Sequence, residues 1–103
     1  MSVLLEFAMF PTDKGISVSD YVSRVIEYIR DTGYEYRLTA MGTIVETETL
    51  SEALAIVEKS YSILEPYSDR VYSNIKLDIR KDRKDRIVGK IQSIEQKIGK
   101  VKS

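Results

Sequence analysis

Glu6, Thr39, Thr43 and Glu46 are the side chains of this 103-residue chain best suited to holding a small polar guest. Threonine hydroxyls donate and accept hydrogen bonds, and carboxylates accept them or balance a cation. In YRLTAMGTIVE, residues 36–46, three of the four stand around one expected tight turn. Met41 adds a soft apolar surface there, and Gly42 permits a backbone angle that other residues resist. The chain has no histidine and no cysteine, so imidazole bases, thiolate nucleophiles and the commonest zinc ligands are excluded. What remains for catalysis is a carboxylate of raised pKa, Glu6 or Glu46, acting as a base. Nothing in the residues calls for a cofactor or a metal.

These side chains need elements to position them. In SVLLEFAMF the odd positions Val3, Leu5, Phe7 and Met9 are apolar and the even ones mixed, which predicts a strand ending at Pro11. Ser17 or Ser19 could cap a helix over about residues 18–31, with Gly33 just beyond its end. YEYRLT and TIVETET form the arms of a hairpin turning at AMG. Thr49 and Glu52 make a capping box for a second helix, whose expected buried stripe is Ala53, Leu54, Val57, Tyr61 and Leu64. RVYSNIKLDIR alternates as a last strand, and the isoleucines at 87, 91, 94 and 98 mark a closing helix. This order predicts one α+β domain over residues 1–103, a ferredoxin-like βαββαβ fold with a four-stranded antiparallel sheet and an additional C-terminal helix.

Such a fold leaves one sheet face open. If Val3, Leu5, Phe7, Val71, Ile75, Leu77 and Ile79 turn toward the helices, then Leu4, Glu6, Ala8, Phe10, Tyr72, Asn74 and Lys76 turn away. That second face is too apolar for water and too charged for a dry core, which predicts a second subunit packed over it. Glu6 and Lys76 could equally be a cross-strand ion pair, and the threonines could be present for strand propensity alone. Lys plus Arg and Asp plus Glu are 16 each, so no global basic field draws in nucleic acid. RKDRKDR, residues 80–86, has five basic residues against two acidic, and its interleaved acids suit a solvated lead-in to a helix. No run approaches the ~20 apolar residues of a bilayer span, and the apolar start lacks a basic leader, so a cytoplasmic location is expected.

Taken together, Glu6, Pro11, the glycine and serines before the first helix, LTAMGTIVE, IKLDIRKD and GKIQSIEQKIG resemble the small thiamine-binding protein family, the single-domain relatives of the YkoF-type thiamine and hydroxymethylpyrimidine binders. The resemblance covers nearly the whole chain, and LTAMGT with its downstream acid is its most specific part. It implies a non-catalytic binder of thiamine or its hydroxymethylpyrimidine portion, used for sequestration, salvage or delivery. It also implies subunits that pair sheet to sheet and assemble further into a tetramer. Carried over by position, the implied site residues are Glu6, Ser17, Ser19, Thr39, Met41, Gly42, Thr43 and Glu46. A tyrosine, with Tyr36 as the candidate, or Met41 would lie against the ring. A small isomerase-like enzyme and a regulatory protein-interaction module are the alternatives the same architecture allows.

Overall fold

The computed structural model describes residues 1–16 and 18–103. Its elements are β1 (Ser2–Pro11), α1 (Ser19–Thr32), β2 (Glu35–Thr39), β3 (Gly42–Thr47), α2 (Leu50–Leu64), a single 3-10 turn at Glu65–Tyr67, β4 (Val71–Arg80) and α3 (Arg86–Ile98). The sheet runs β2-β3-β1-β4 and every pairing is antiparallel. This is the expected α+β ferredoxin-like arrangement. Central β1 pairs with β3 on one side and along its full length with β4 on the other.

Register decides which side chains share a face. Leu5 stands opposite Val45 and Leu77, and Phe7 opposite Thr43 and Ile75, so odd residues of β1, β3 and β4 lie together under the helices. Val3, Leu5, Phe7, Met9 and Val45 join Val25 and Ile29 of α1 and Ala53, Ile56 and Leu64 of α2 in one core. The buried stripe of α2 differs from the expected one. Leu54 and Tyr61 are exposed, and Ile56 and Ser60 take the core positions. The Ser60 hydroxyl donates to the Ile56 carbonyl at 2.7 Å, so a small side chain satisfied within its own helix lets α2 approach the sheet. Periodicity favoured bulk where the packing uses a small residue.

Other expectations are met or corrected at the ends of elements. Gly33 closes α1 at φ 82°, and Thr49 with Glu52 forms the reciprocal capping box of α2. Ser19 does not cap α1: Val18 holds that position with no side-chain bond, and Ser17 lies outside the described residues. Gly42 does not use the backbone freedom that glycine permits at a turn, since it is not among the residues of positive φ. Its reason is proximity. A Cβ there would sit 3.0 Å from the Phe7 carbonyl oxygen and 3.8 Å from the Ala8 Cβ. Thr39 stabilises the turn instead, accepting from the Met41 and Gly42 amides at 3.2 and 3.1 Å and donating to the Gly42 carbonyl at 2.8 Å.

Two apolar surfaces stay uncovered. Ile75, Leu77 and Ile79 face the helix side as expected but remain 42%, 40% and 46% exposed, because β4 is an edge strand and the helices cover the middle of the sheet. In α3 only Arg86 and Ile87 are buried, while Ile94 and Ile98 are 49% and 73% exposed. The chain measures 45 × 29 × 21 Å.

Candidate functional site

Two neighbouring hollows make one cleft between α1 and the β2–β3 hairpin. The outer part, about 490 Å³, is lined by Ser19, Val22, Ile26, Glu27, Tyr36 and Leu38 among others. The inner part, about 230 Å³, reaches Phe7, Met9, Val25, Thr39, Met41 and Thr43. Val22, Ile26 and Leu38 line both. These residues arrive together because β2 pairs only with β3, so the helix-side face of the outer strand carries Tyr36 and Leu38 beside Thr43 and Val45. The floor is apolar and the rim carries hydroxyls.

A third hollow of about 190 Å³ lies on the open face, lined by Glu6, Ala8, Met41, Asn74 and Lys76. Met41, at the hairpin tip, borders both this hollow and the inner cleft. Here Glu6 and Lys76 form the anticipated cross-strand pair at 3.5 Å, largely in water, where such a pair contributes at most about 1 kcal/mol. Phe10 and Tyr72 pack nearby as a tilted aromatic pair, centroids 5.7 Å apart.

The structure therefore sorts the candidate residues. Ser19, Tyr36, Thr39, Met41, Gly42 and Thr43 line the α1–hairpin cleft. Glu6 stands on the opposite face, in a hollow that shares Phe7, Ala8 and Met41 with the inner cleft. Thr43 is buried beneath the helices, so it does not share a surface with Glu46 as the expected cluster around the turn required. Glu46 lies four residues from Gly42, about 13 Å along the strand.

Glu46 is engaged in a different task. Its Oε2 accepts from the Ser2 hydroxyl at 2.6 Å and the Arg86 amide at 2.9 Å, and its Oε1 accepts from the Ile87 amide at 3.1 Å. It thus caps the first turn of α3 from another strand, supplying the acceptor that Asp85, at φ 52°, does not. Arg86, 6% exposed, completes the junction. Its Nε donates to the Ser2 hydroxyl at 3.0 Å, and its Nη2 to the carbonyls of Ser2 and Asp78 at 2.9 and 2.6 Å. Its Nη1 lies 3.1 Å from Asp78 Oδ2. Sequence reading placed Arg86 within a solvated charge run. No local pattern marks a residue one of whose partners, Ser2, is 84 positions away.

Burial pushes the Glu46 carboxyl up, but the Ser2 hydroxyl, the Arg86 and Ile87 amides and the Arg86 guanidinium outweigh it, so its pKa falls below 4.5. A carboxylate lowered on folding contributes stability that is present above its unfolded pKa and lost as pH falls through the folded value. Attachment of α3 should therefore weaken in the window below about pH 4.5. Glu46→Gln should already be loosened at neutral pH and show a flatter acid dependence than the parent, read by amide exchange across residues 86–98. An unchanged acid profile in that variant would assign the loss to other carboxylates.

The family described as thiamine-binding protein matches residues 5–95. The chain belongs to the thiamine-binding protein family. The Methanocaldococcus jannaschii UPF0045 protein MJ1052 is 36% identical over 92 residues, covering 89% of this chain and 91% of its own. Its crystal structure superposes with a TM-score of 0.81 at 35% identity, covering 92% of this chain and 97% of that one. A Methanothermobacter thermautotrophicus UPF0045 protein is 34% identical over 83 residues, covering 80% of this chain and 84% of its own. The crystal structure of Thermotoga maritima TM0486, provisionally assigned to thiamine biosynthesis or salvage, shares the fold with a TM-score of 0.73 at 22% identity, covering 87% and 98%. Among the described residues of this family member, no helix is long and apolar enough to cross a membrane.

Proposed function

We propose that this family member binds thiamine or its hydroxymethylpyrimidine portion in the cleft between α1 and the β2–β3 hairpin, and releases it unaltered. The supporting observation is convergence: six residues chosen for their chemistry line one cleft with an apolar floor. A flat aminopyrimidine needs apolar walls on its faces and a few in-plane hydrogen-bonding groups. Phe7, Met9 and Met41 supply the walls, and the Thr43 and Ser19 hydroxyls supply donors and acceptors. The cationic ring of thiamine then extends along the outer cleft, where Tyr36 and Glu27 favour positive charge and the Arg30 guanidinium on the same rim is offset by Asp31 at 3.3 Å. Retention and release, with no bond made or broken, suit sequestration, salvage or delivery.

The open face fits a second subunit of this chain. Leu4, Ala8, Phe10 and Ile44 there are only partly covered, and the exposed ends of the α3 stripe, Ile94 and Ile98, are available to the opposing sheet. Closing that face would enclose the Glu6 hollow beside Met41, on the side of the sheet away from the cleft.

Calorimetry with thiamine and with hydroxymethylpyrimidine tests the reading. Thr43→Val keeps the side-chain shape and removes one hydroxyl, so affinity should fall about fivefold, the equivalent of one lost hydrogen bond of ~1 kcal/mol. Glu6→Gln, on the other face of the sheet, should leave binding unchanged. Binding indifferent to Thr43→Val would discard the site.

A further inference from the structure

The chain is neutral as a whole, but its charge is unevenly placed. Residues 80–103 hold nine of the 16 basic side chains and three of the 16 acidic ones, so an acidic body carries a basic terminal segment. The fold concentrates this excess. A hollow of about 380 Å³ between the loop after β4 and the first turns of α3 is lined by Arg80, Arg83, Lys84, Arg86 and Lys90, with Asp85 the one acid on its wall. Asp85, at φ 52°, turns the chain from loop into helix, and spacings of four and three residues then bring Arg86, Lys90 and Ser93 to one side of α3. Grouping like charges costs repulsion. The acids that would offset it, Glu48 and Glu52, lie across Lys84 and Asp85 in a separate hollow.

Two of the cations are committed and three are not. Arg86 is buried against Asp78, and Arg80 holds Asp82 at 2.9 Å. Arg83, Lys84 and Lys90 are exposed, and among the described residues no carboxylate lies within salt-bridge distance of them. Glu46 already takes the Arg86 and Ile87 amides, so the pull on an anion comes from side chains rather than from the end of the helix. Gly89 leaves open space on the wall, since a Cβ there would meet nothing within 4 Å. We infer that this hollow binds an oligophosphate group, free as pyrophosphate or as the tail of a small phosphate ester. A lone phosphate carries about two negative charges at neutral pH, short of three unpaired cations. A linked pair supplies more charge and the reach from the loop to Lys90, one turn into α3, and Ile94 offers the organic part of an ester an apolar surface. The hollow shares no lining residue with the α1–hairpin cleft, so it is independent of what the cleft takes.

Titration calorimetry of the full-length protein with pyrophosphate, inorganic phosphate and adenosine diphosphate makes the test. Pyrophosphate should bind more tightly than phosphate and weaken as salt rises. Arg83→Gln and Lys90→Gln, both at exposed positions, should each lower its affinity about threefold to fivefold with unchanged circular dichroism, the most an exposed ion pair contributes. Asp85→Asn keeps a residue type that accepts a left-handed backbone and removes the one negative charge on the wall, so it should raise affinity by a similar factor. Adenosine diphosphate above pyrophosphate assigns an ester as the source and a share of the binding to Ile94, whereas equal affinities assign recognition to the phosphates alone. No heat with pyrophosphate, or an affinity unmoved by all three substitutions, overturns the assignment. So does a single-stranded oligonucleotide that binds more tightly than pyrophosphate, which would make the surface a nucleic-acid contact.

Discussion

Arg86→Met should lower stability by about 3–5 kcal/mol, the cost of breaking a buried charged junction by removing one partner. Methionine matches much of the length and apolar stem of arginine, so the loss reports the guanidinium. That group satisfies the carbonyls of Ser2 and Asp78, the Ser2 hydroxyl and the Asp78 carboxylate together. It also supplies positive charge near Glu46. Without it, two backbone acceptors lose their donor and α3 loses the fastening at its first turn. For a chain of this length the change corresponds to a fall in Tm of more than 10 °C. Arg86→Lys should recover little, since an ammonium cannot reproduce a planar fork that reaches four acceptors. Amide exchange should accelerate first in α3 and at the Ser2 and Asp78 ends of their strands. A Tm within about 2 °C of the parent would show that the junction is dispensable.

Gly42→Val should be the other severe change, for a reason that separates two accounts of the glycine. If Gly42 were required for a left-handed backbone, asparagine would be tolerated there better than alanine. The structure gives a non-left-handed residue whose absent Cβ leaves space for the Phe7 carbonyl. Alanine and asparagine should therefore both destabilise, and valine more, because its branch meets the β1 backbone and the Ala8 side chain. The overpacking cost for valine is about 1–3 kcal/mol, and the hairpin can relieve it only by moving away from β1. That movement reshapes the inner cleft, which Gly42, Thr43 and Met41 line, so affinity at the proposed thiamine site should fall with stability. Denaturation midpoints for the three variants, with calorimetry beside them, make the comparison. Full stability in the asparagine variant alone would restore the backbone-angle explanation.

Gly42 shows where sequence reading succeeded and where it stopped. Its importance was visible from its place between Met41 and Thr43, but its cause was not, because the constraining atom belongs to a strand 35 positions earlier. Elements defined by local rules were legible: the alternation in β1 and β4, the Thr49–Glu52 box and the isoleucine spacing of α3 all depend on neighbours within one or two turns. The order of those elements then implied the sheet. What was not legible depends on the third dimension. Glu46 and Thr43 were grouped because they are near in sequence, yet a difference of three positions on a strand puts side chains on opposite faces. Applying that parity to the hairpin alone would have separated them. Ser60 at the core and Arg86 at the α3 junction carry no local mark, because both run against the usual preference of their residue types.

Central β1 takes its second neighbour, β4, from the far side of the sequence. A ribosome that has emitted β1 must deliver about sixty further residues before Val71 can dock. Until then β1 is paired with β3 alone, and Leu5 and Phe7 lie on a border that is later interior. Chain products ending before Val71 should consequently be trapped by chaperones or cleared by proteases, while those extending through Arg80 should escape both.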